Sequence, residues 1–232
     1  MRGAIFDLDG TLADTAGDLL AAANEVLGVQ GLPLLGPEDR PYAGRGGREM
    51  IFRSLEIAGQ PHDTVEARRF AESLYPDLLT AYEVRIADET TLFEGAEEAI
   101  DRLAGSGWKI GICTNKPERL ALLLIDVLGV RERFAAILGA DTLHVRKPDP
   151  EHFHETARRI GADPAQSVMI GDTLTDLTTA RRAGVPCVLT GFGFAAEPLD
   201  TLAPDAVVEH FDELPPVLEQ LRPAPEKAAA AT

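Results

Sequence analysis

The sequence predicts an α/β protein, a parallel sheet with helices on both faces, carrying a wholly helical insert placed after its first strand. Two observations predict it. Short apolar runs rich in β-branched residues alternate with helical patterns along most of the chain, the signature of parallel strands joined by crossover helices. The stretch from about Asp14 to Tyr82 breaks that alternation and carries helical patterns only. At 232 residues the chain is long enough for a core domain bearing a smaller one.

The first apolar run is Ala4-Ile5-Phe6, and the insert follows it with helical patterns over Ala16 to Leu27, Gly47 to Ala58 and Val65 to Tyr82. Alternation resumes near Gly95. Helices are expected over Glu94 to Ala104, Pro117 to Leu128, Pro150 to Ile160 and Thr175 to Ala183. Between them lie the strand runs Lys109 to Cys113, Ala136 to Leu138, Val168 to Ile170 and Val185 to Leu189, with Ala206-Val207-Val208 as a last edge strand. The expected division is a discontinuous core of residues 1–13 and 84–220, a helical cap of residues 14–83, and a disordered tail over 221–232, rich in proline and alanine.

The formal net charge is −16, a field that repels nucleic acid and anionic membranes, so neither is an expected partner. It also repels phosphate esters, so an enzyme acting on them needs local cations at its site. Cys113 and Cys187 lie in apolar runs and read as buried reduced thiols, with no disulfide framework or zinc site in view. No secretory leader or membrane span is evident, and the reading is a cytoplasmic protein, monomer or homodimer. His152 and His154 stand two apart on an expected helix and read as solvated residues, not a metal pair.

In an open parallel sheet the functional crevice lies beyond the carboxyl ends of the strands. Asp7 to Thr11 follows the first strand, Thr114-Asn115-Lys116 the second, Arg146-Lys147-Pro148 the third, and Gly171 to Asp176 the fourth. Crowded carboxylates raise one another's pKa, and a hard divalent cation with oxygen ligands, Mg²⁺, removes the conflict. The set fits phosphoryl transfer to a small phosphorylated metabolite. Asp7 is the candidate nucleophile, forming an aspartyl-phosphate, and Asp9 the general acid and then base. Thr114 and the amides beside it hold phosphate oxygens, with Asn115 and Gly10 in the same set, while Lys147 neutralises developing charge. Thr173 and Asp172 are also placed to cap the helix that follows them, with Asp176 favoured in its first turn.

These residues resemble the haloacid dehalogenase-like hydrolases, in their phosphatase branch. Asp7-Leu8-Asp9-Gly10-Thr11 is similar to that family's first motif, Thr114 to its second, Lys147-Pro148 to its third, and Gly171-Asp172-Thr173 with Asp176 to its fourth. All four occur in the family's order across nearly the whole core. The resemblance implies a Rossmann-like core with a helical cap inserted after the first motif. It also implies that Asp7, the backbone carbonyl of Asp9, and Asp172 ligate Mg²⁺, with Asp176 and Thr173 supporting the metal or Lys147. Within the family, residues 6–19, Thr114 to Pro117, Lys147 to Pro150 and Thr190 to Gly193 most resemble the phosphoglycolate phosphatases; Glu94 departs, where proline is usual.

Core motifs of this kind see only phosphate, so specificity is expected from the cap. Gly44-Arg45-Gly46-Gly47-Arg48 precedes a helix and offers backbone N–H groups and two guanidinium groups to a carboxylate such as that of 2-phosphoglycolate. Alternatives on the same fold are a phosphosugar phosphatase, a pyrophosphatase or a phosphomutase; a dehalogenase has no use for Asp9. Outside catalysis, a phospho-accepting receiver groups similar residues but lacks the insert, and a binding protein that has lost activity lacks a site carboxylate, whereas none is missing here.

Overall fold

The computed structural model describes residues 1–194 and 199–222. The chain runs β1 (Gly3–Phe6), β2 (Ala13–Asp14), α1 (Ala16–Val29), α2 (Arg40–Ala43), α3 (Gly47–Ile57), α4 (Val65–Val84), β3 (Thr91–Leu92) and α5 (Ala96–Gly105). It continues through β4 (Lys109–Cys113), α6 (Glu118–Val127), β5 (Ala136–Leu138), α7 (Pro150–Arg159), β6 (Ser167–Gly171), α8 (Leu174–Ala183), β7 (Cys187–Thr190), α9 (Leu199–Leu202), β8 (Ala206–Val208) and α10 (Leu214–Leu221).

Among the described residues, six strands form one parallel sheet in the order β5-β4-β1-β6-β7-β8. β1 lies inside it, paired with β4 on one side and β6 on the other, and all four of its residues are buried. From β1 the chain builds outward in one direction and then crosses back to build in the other, which opens a crevice at the carboxyl ends of β1, β4 and β6. The period of two along the strands separates the cores. Phe6, Ile112 and Ile170 point into the apolar cluster shared with α5, α6 and α10, while Ile5, Cys113, Met169 and Cys187 meet Phe153 and Ala157 of α7 and Leu177 of α8. Both cysteines are buried and free.

The helical stretch packs on itself through α1, α3 and α4. The sequence missed two of its features: the short α2, and the two-residue ribbon in which Ala13 pairs with Leu92 and Asp14 with Thr91. That ribbon brings the outgoing and returning chain together where the helices leave the sheet. Asp18 on α1 fastens it. Its buried carboxylate accepts from the amides of Glu89 (3.1 Å) and Thr90 (2.9 Å) and from the Thr90 hydroxyl (2.7 Å).

Several expectations are corrected. The strand expected from Val185 begins at Cys187, because the Val185 amide still closes α8 on the Ala180 carbonyl and Pro186 has no N–H to offer. His152 is not solvated: it is fully buried, with Nε2 3.0 Å from the Gly139 carbonyl and Nδ1 3.6 Å from the Cys113 sulfur. Burial pulls its pKa down to about 4, so it is neutral. α10, which the sequence did not announce, carries the chain in helical form to Leu221, the first residue of the expected tail. Its Glu219 holds Arg2 at 2.5 Å and the Trp108 indole N–H at 2.9 Å. The rest of that tail, residues 223–232, lies outside the described residues.

Asp18→Ala leaves two amides and a hydroxyl without their acceptor. It is expected to cost about 2 kcal/mol and to lower Tm by about 6 °C, read by urea and thermal unfolding; an unchanged midpoint contradicts the fastening role.

Candidate active site

Asp7 stands one residue beyond β1, held there because its amide extends the ladder to the Ile170 carbonyl at 2.8 Å. The chain then turns back. The amides of Thr11, Leu12 and Ala13 all reach the Leu8 carbonyl, and the side chains of Leu8 and Leu12 anchor the turn in the core. Gly10 makes this turn possible: its φ is +78°, and a Cβ there would collide with the Asp172 carboxylate. The Gly10 amide is spent on the Ala13 carbonyl at 2.9 Å, which corrects the expectation of Gly10 as a phosphate ligand. Its work is to let the first and fourth loops touch.

Across that contact the carboxylate oxygens of Asp7, Asp172 and Asp176 lie within 4.8 Å of one another. Lys147 sits between two of them, with Nζ 2.9 Å from Asp7 Oδ1 and 2.7 Å from Asp176 Oδ1. Asp176 closes the first turn of α8: its other oxygen accepts from the Thr173 hydroxyl (2.6 Å) and from the Thr173 amide (3.1 Å). Asp172 accepts from the Thr11 hydroxyl (3.0 Å) and the Phe194 amide (2.8 Å). Both are fully buried.

Burial is the largest influence on Asp7 and pushes its carboxyl up to about 6; Lys147 opposes the shift, while Asp176 and Asp9 add to it. Burial, then the charges of Asp176 and Asp7, hold Asp172 well above the usual carboxylate range. For Lys147, burial disfavours the charge, but Asp176 and Asp7 outweigh it and its pKa is raised. One lysine against three carboxylates leaves the cluster short of positive charge. A hard divalent cation among these oxygens is what the donor set lacks, so the residues present fit one.

A cavity of about 650 Å³ opens above the cluster. Asp7, Asp9, Thr114, Asn115, Lys147 and Thr173 line it from the core, and Arg45, Gly46, Gly47 and Arg48 from the helical stretch. The structure thus brings the expected residues to one space, with Asp172, Asp176 and Gly10 beneath its floor. Three of them carry partners the sequence did not announce. Thr114 is held by its amide on the Leu138 carbonyl, and its hydroxyl accepts from the Lys116 amide at 3.2 Å. Asn115 donates to the Lys147 carbonyl at 3.0 Å, so its amide positions the lysine segment, in which the Lys147–Pro148 peptide is cis. Arg48 is engaged by Glu72 at 2.5 and 2.8 Å and lies over the Tyr75 ring at 3.6 Å.

Sequence reasoning placed Lys116 at the crevice without giving it a role, and passed over Tyr82. Lys116 Nζ lies 2.8 Å from Asp9 Oδ1 and 2.8 Å from the hydroxyl of Tyr82, which reaches in from α4. The signal for Lys116 was present in its place directly after Thr114-Asn115; Tyr82 left none, since an aromatic residue late in an amphipathic helix reads as core.

The sequence profile of haloacid dehalogenase-like hydrolases matches residues 4–190. A phosphoglycolate phosphatase of Caulobacter vibrioides is 40% identical over 211 residues, covering 90% of this chain and 87% of its own. One of Agrobacterium fabrum is 37% identical over 216 residues, covering 93% of this chain and 91% of its own. A solved hydrolase from Pseudomonas syringae superposes with a TM-score of 0.74 at 26% identity, over 96% of this chain and all (100%) of that one.

Lys147→Met removes the buried cation that two carboxylates share. Unfolding in urea with EDTA is expected to show a loss of about 3 kcal/mol at pH 7.5. Carboxyls whose folded-state pKa is raised, as that of Asp7 is to about 6, take up protons as pH falls, so the loss shrinks at pH 5. A loss that grows toward pH 5 contradicts this charge balance.

Proposed function

The chain belongs to the haloacid dehalogenase-like hydrolase family, and from that premise we propose that it is a Mg²⁺-dependent phosphomonoester hydrolase whose substrate is 2-phosphoglycolate, cleaved to glycolate and phosphate. The observation that carries the reading is the buried cluster of Asp7, Asp172 and Asp176 around Lys147, at the floor of a cavity roofed by the loop around Gly46. Names borne by relatives at 37–40% identity over most of the chain support the choice of ester. No described helix is long and apolar enough to cross a membrane, which is compatible with a cytoplasmic metabolite enzyme.

In this reading Asp7, the Asp9 carbonyl and Asp172 hold Mg²⁺, with Asp176 and Thr173 supporting it. The ion supplies charge neutralisation for the carboxylate cluster and for the phosphate. Asp7 attacks phosphorus, the bond to the ester oxygen breaks, and Asp9 delivers a proton to that oxygen. Water then attacks the aspartyl-phosphate, with Asp9 taking its proton back. Lys147 already bridges Asp7 and Asp176 and keeps the attacking carboxyl ionised against its burial. The Thr114 hydroxyl and neighbouring amides receive phosphate oxygens.

The carboxylate of the ester is received at the start of α3, where Gly46 at φ +99° leads into Gly47 and Arg48, with Arg45 alongside. Arg48 contributes its amide and a guanidinium already ordered by Glu72.

Asp7→Asn is expected to lower kcat/KM on the order of 10⁴-fold, and EDTA to abolish a turnover that Mg²⁺ restores; equal activity of the two proteins on an aryl phosphate ends the reading. In a panel containing 2-phosphoglycolate, aldose phosphates and pyrophosphate, 2-phosphoglycolate should have the highest kcat/KM. Arg45→Ala or Arg48→Ala should lower that value about 10-fold while sparing an aryl phosphate; if neither does, the cap loop does not read the carboxylate.

A further inference from the structure

A general acid must meet the leaving oxygen within hydrogen-bond reach, and a misplacement of about 1 Å can cost about 100-fold in rate. Asp9 sits in the loop after β1, with its side chain 18% exposed to the cavity, and its carboxylate is paired with Lys116. That lysine is itself closely held. Its amide donates to the Thr114 hydroxyl, its carbonyl accepts from the Ala140 amide at 2.9 Å, and its side chain is nearly all buried. Tyr82 fixes the other end: the hydroxyl accepts from Lys116 Nζ at 2.8 Å, and Nζ lies 4.1 Å from the ring centroid.

A lysine needed only for packing has no reason to place its charged end between a cavity carboxylate and a phenol brought in from another part of the chain. A buried ion pair is also weak evidence of stabilisation, because desolvation offsets the attraction. The arrangement suits alignment better. Lys116 is rooted beside Thr114 at the end of β4, so it relates the Asp9 carboxylate to the group that receives the phosphate. Tyr82 is rooted on α4, so the same ammonium relates Asp9 to the helices that roof the cavity.

We propose that Lys116 is a positioning residue that acts through Asp9, aiming its carboxylate at the leaving oxygen, and that the Tyr82 hydroxyl sets Lys116. This rests on the reading of Asp9 as the general acid. Proton delivery matters most when the departing oxygen is strongly basic and least when it leaves as a stable anion. A residue acting through the acid therefore changes how rate depends on the leaving group, whereas a structural residue lowers all rates together.

The test is kcat/KM for a series of aryl phosphates of similar size and graded phenol acidity, measured with Mg²⁺ for the wild type, Asp9→Asn, Lys116→Met and Tyr82→Phe. Asp9→Asn is expected to widen the spread between the best and worst leaving groups by more than about 10-fold. Lys116→Met should widen it in the same direction by about 10-fold, and Tyr82→Phe by less. A parallel fall across the series, or no fall, in Lys116→Met overturns the proposal while leaving the acid role of Asp9 intact. If Lys116→Met does not fold, by circular dichroism, Tyr82→Phe decides alone: it keeps the ring, and an unchanged spread overturns the proposal. If Asp9→Asn itself leaves the spread unchanged, the reading of Asp9 as the acid fails first.

Discussion

The rest of the site depends on one arrangement: a single buried lysine, Lys147, serving two of three crowded aspartates. Three carboxylates within 4.8 Å of one another are mutually repulsive, and burial raises the cost for each. The fold meets this with short, stiff connections. Asp176 is locked by the first turn of α8, Asp172 by Thr11 and Phe194, and Asp7 by its continuation of the β1–β6 ladder. Gly171 belongs to the same constraint, since a Cβ there would run into Asp176, as one at Gly10 would run into Asp172. A cluster this short of positive charge is poised for a cation, and its rigidity keeps the carboxylates from relaxing apart without one.

The division of labour along the chain follows from this rigidity. The floor of the cavity comes from strand ends, which fix the reacting groups. The roof comes from the helical stretch, which bears Arg45, Arg48 and Tyr82 and joins the sheet where the β2–β3 ribbon and Asp18 gather its two connections. The pairing of Asp9 with Lys116 and Tyr82 spans the two and ties floor to roof through one ammonium group.

Legibility in the sequence followed the same line. Strand runs, loop endings and the order of the four motifs were readable because each is local: an apolar run, a turn, a carboxylate at fixed spacing. From Asp7 to Asp176, the convergence of the loops followed from sheet topology alone. What escaped depended on which partner each group finds once the chain has folded, or on a residue whose effect changes with its place in an element. His152 reads as solvated until the Gly139 carbonyl, 13 residues before it, is seen to take its N–H. Gly10 reads as a phosphate ligand until Ala13 is found to hold its amide. α10 was hidden by Pro215 and Pro216, which break a helix interior yet suit a first turn.

Arg48 illustrates the limit most sharply. A guanidinium beside a glycine-rich turn reads as a free charge for an anionic ligand, but here Glu72 meets it with two hydrogen bonds and Tyr75 supports its face. Such a group is ordered before any ligand arrives, so a carboxylate entering the cavity meets a fixed donor and loses less conformational entropy on binding. Yet its charge is already shared with Glu72, so it attracts less than a lone arginine. On the proposed reading, the amides opening α3 then add to the discrimination. On that reading, a roof built in this way selects by fit, through the distance between the floor and the start of α3, more than by net charge. That suits a protein whose overall charge of −16 already disfavours anions at long range.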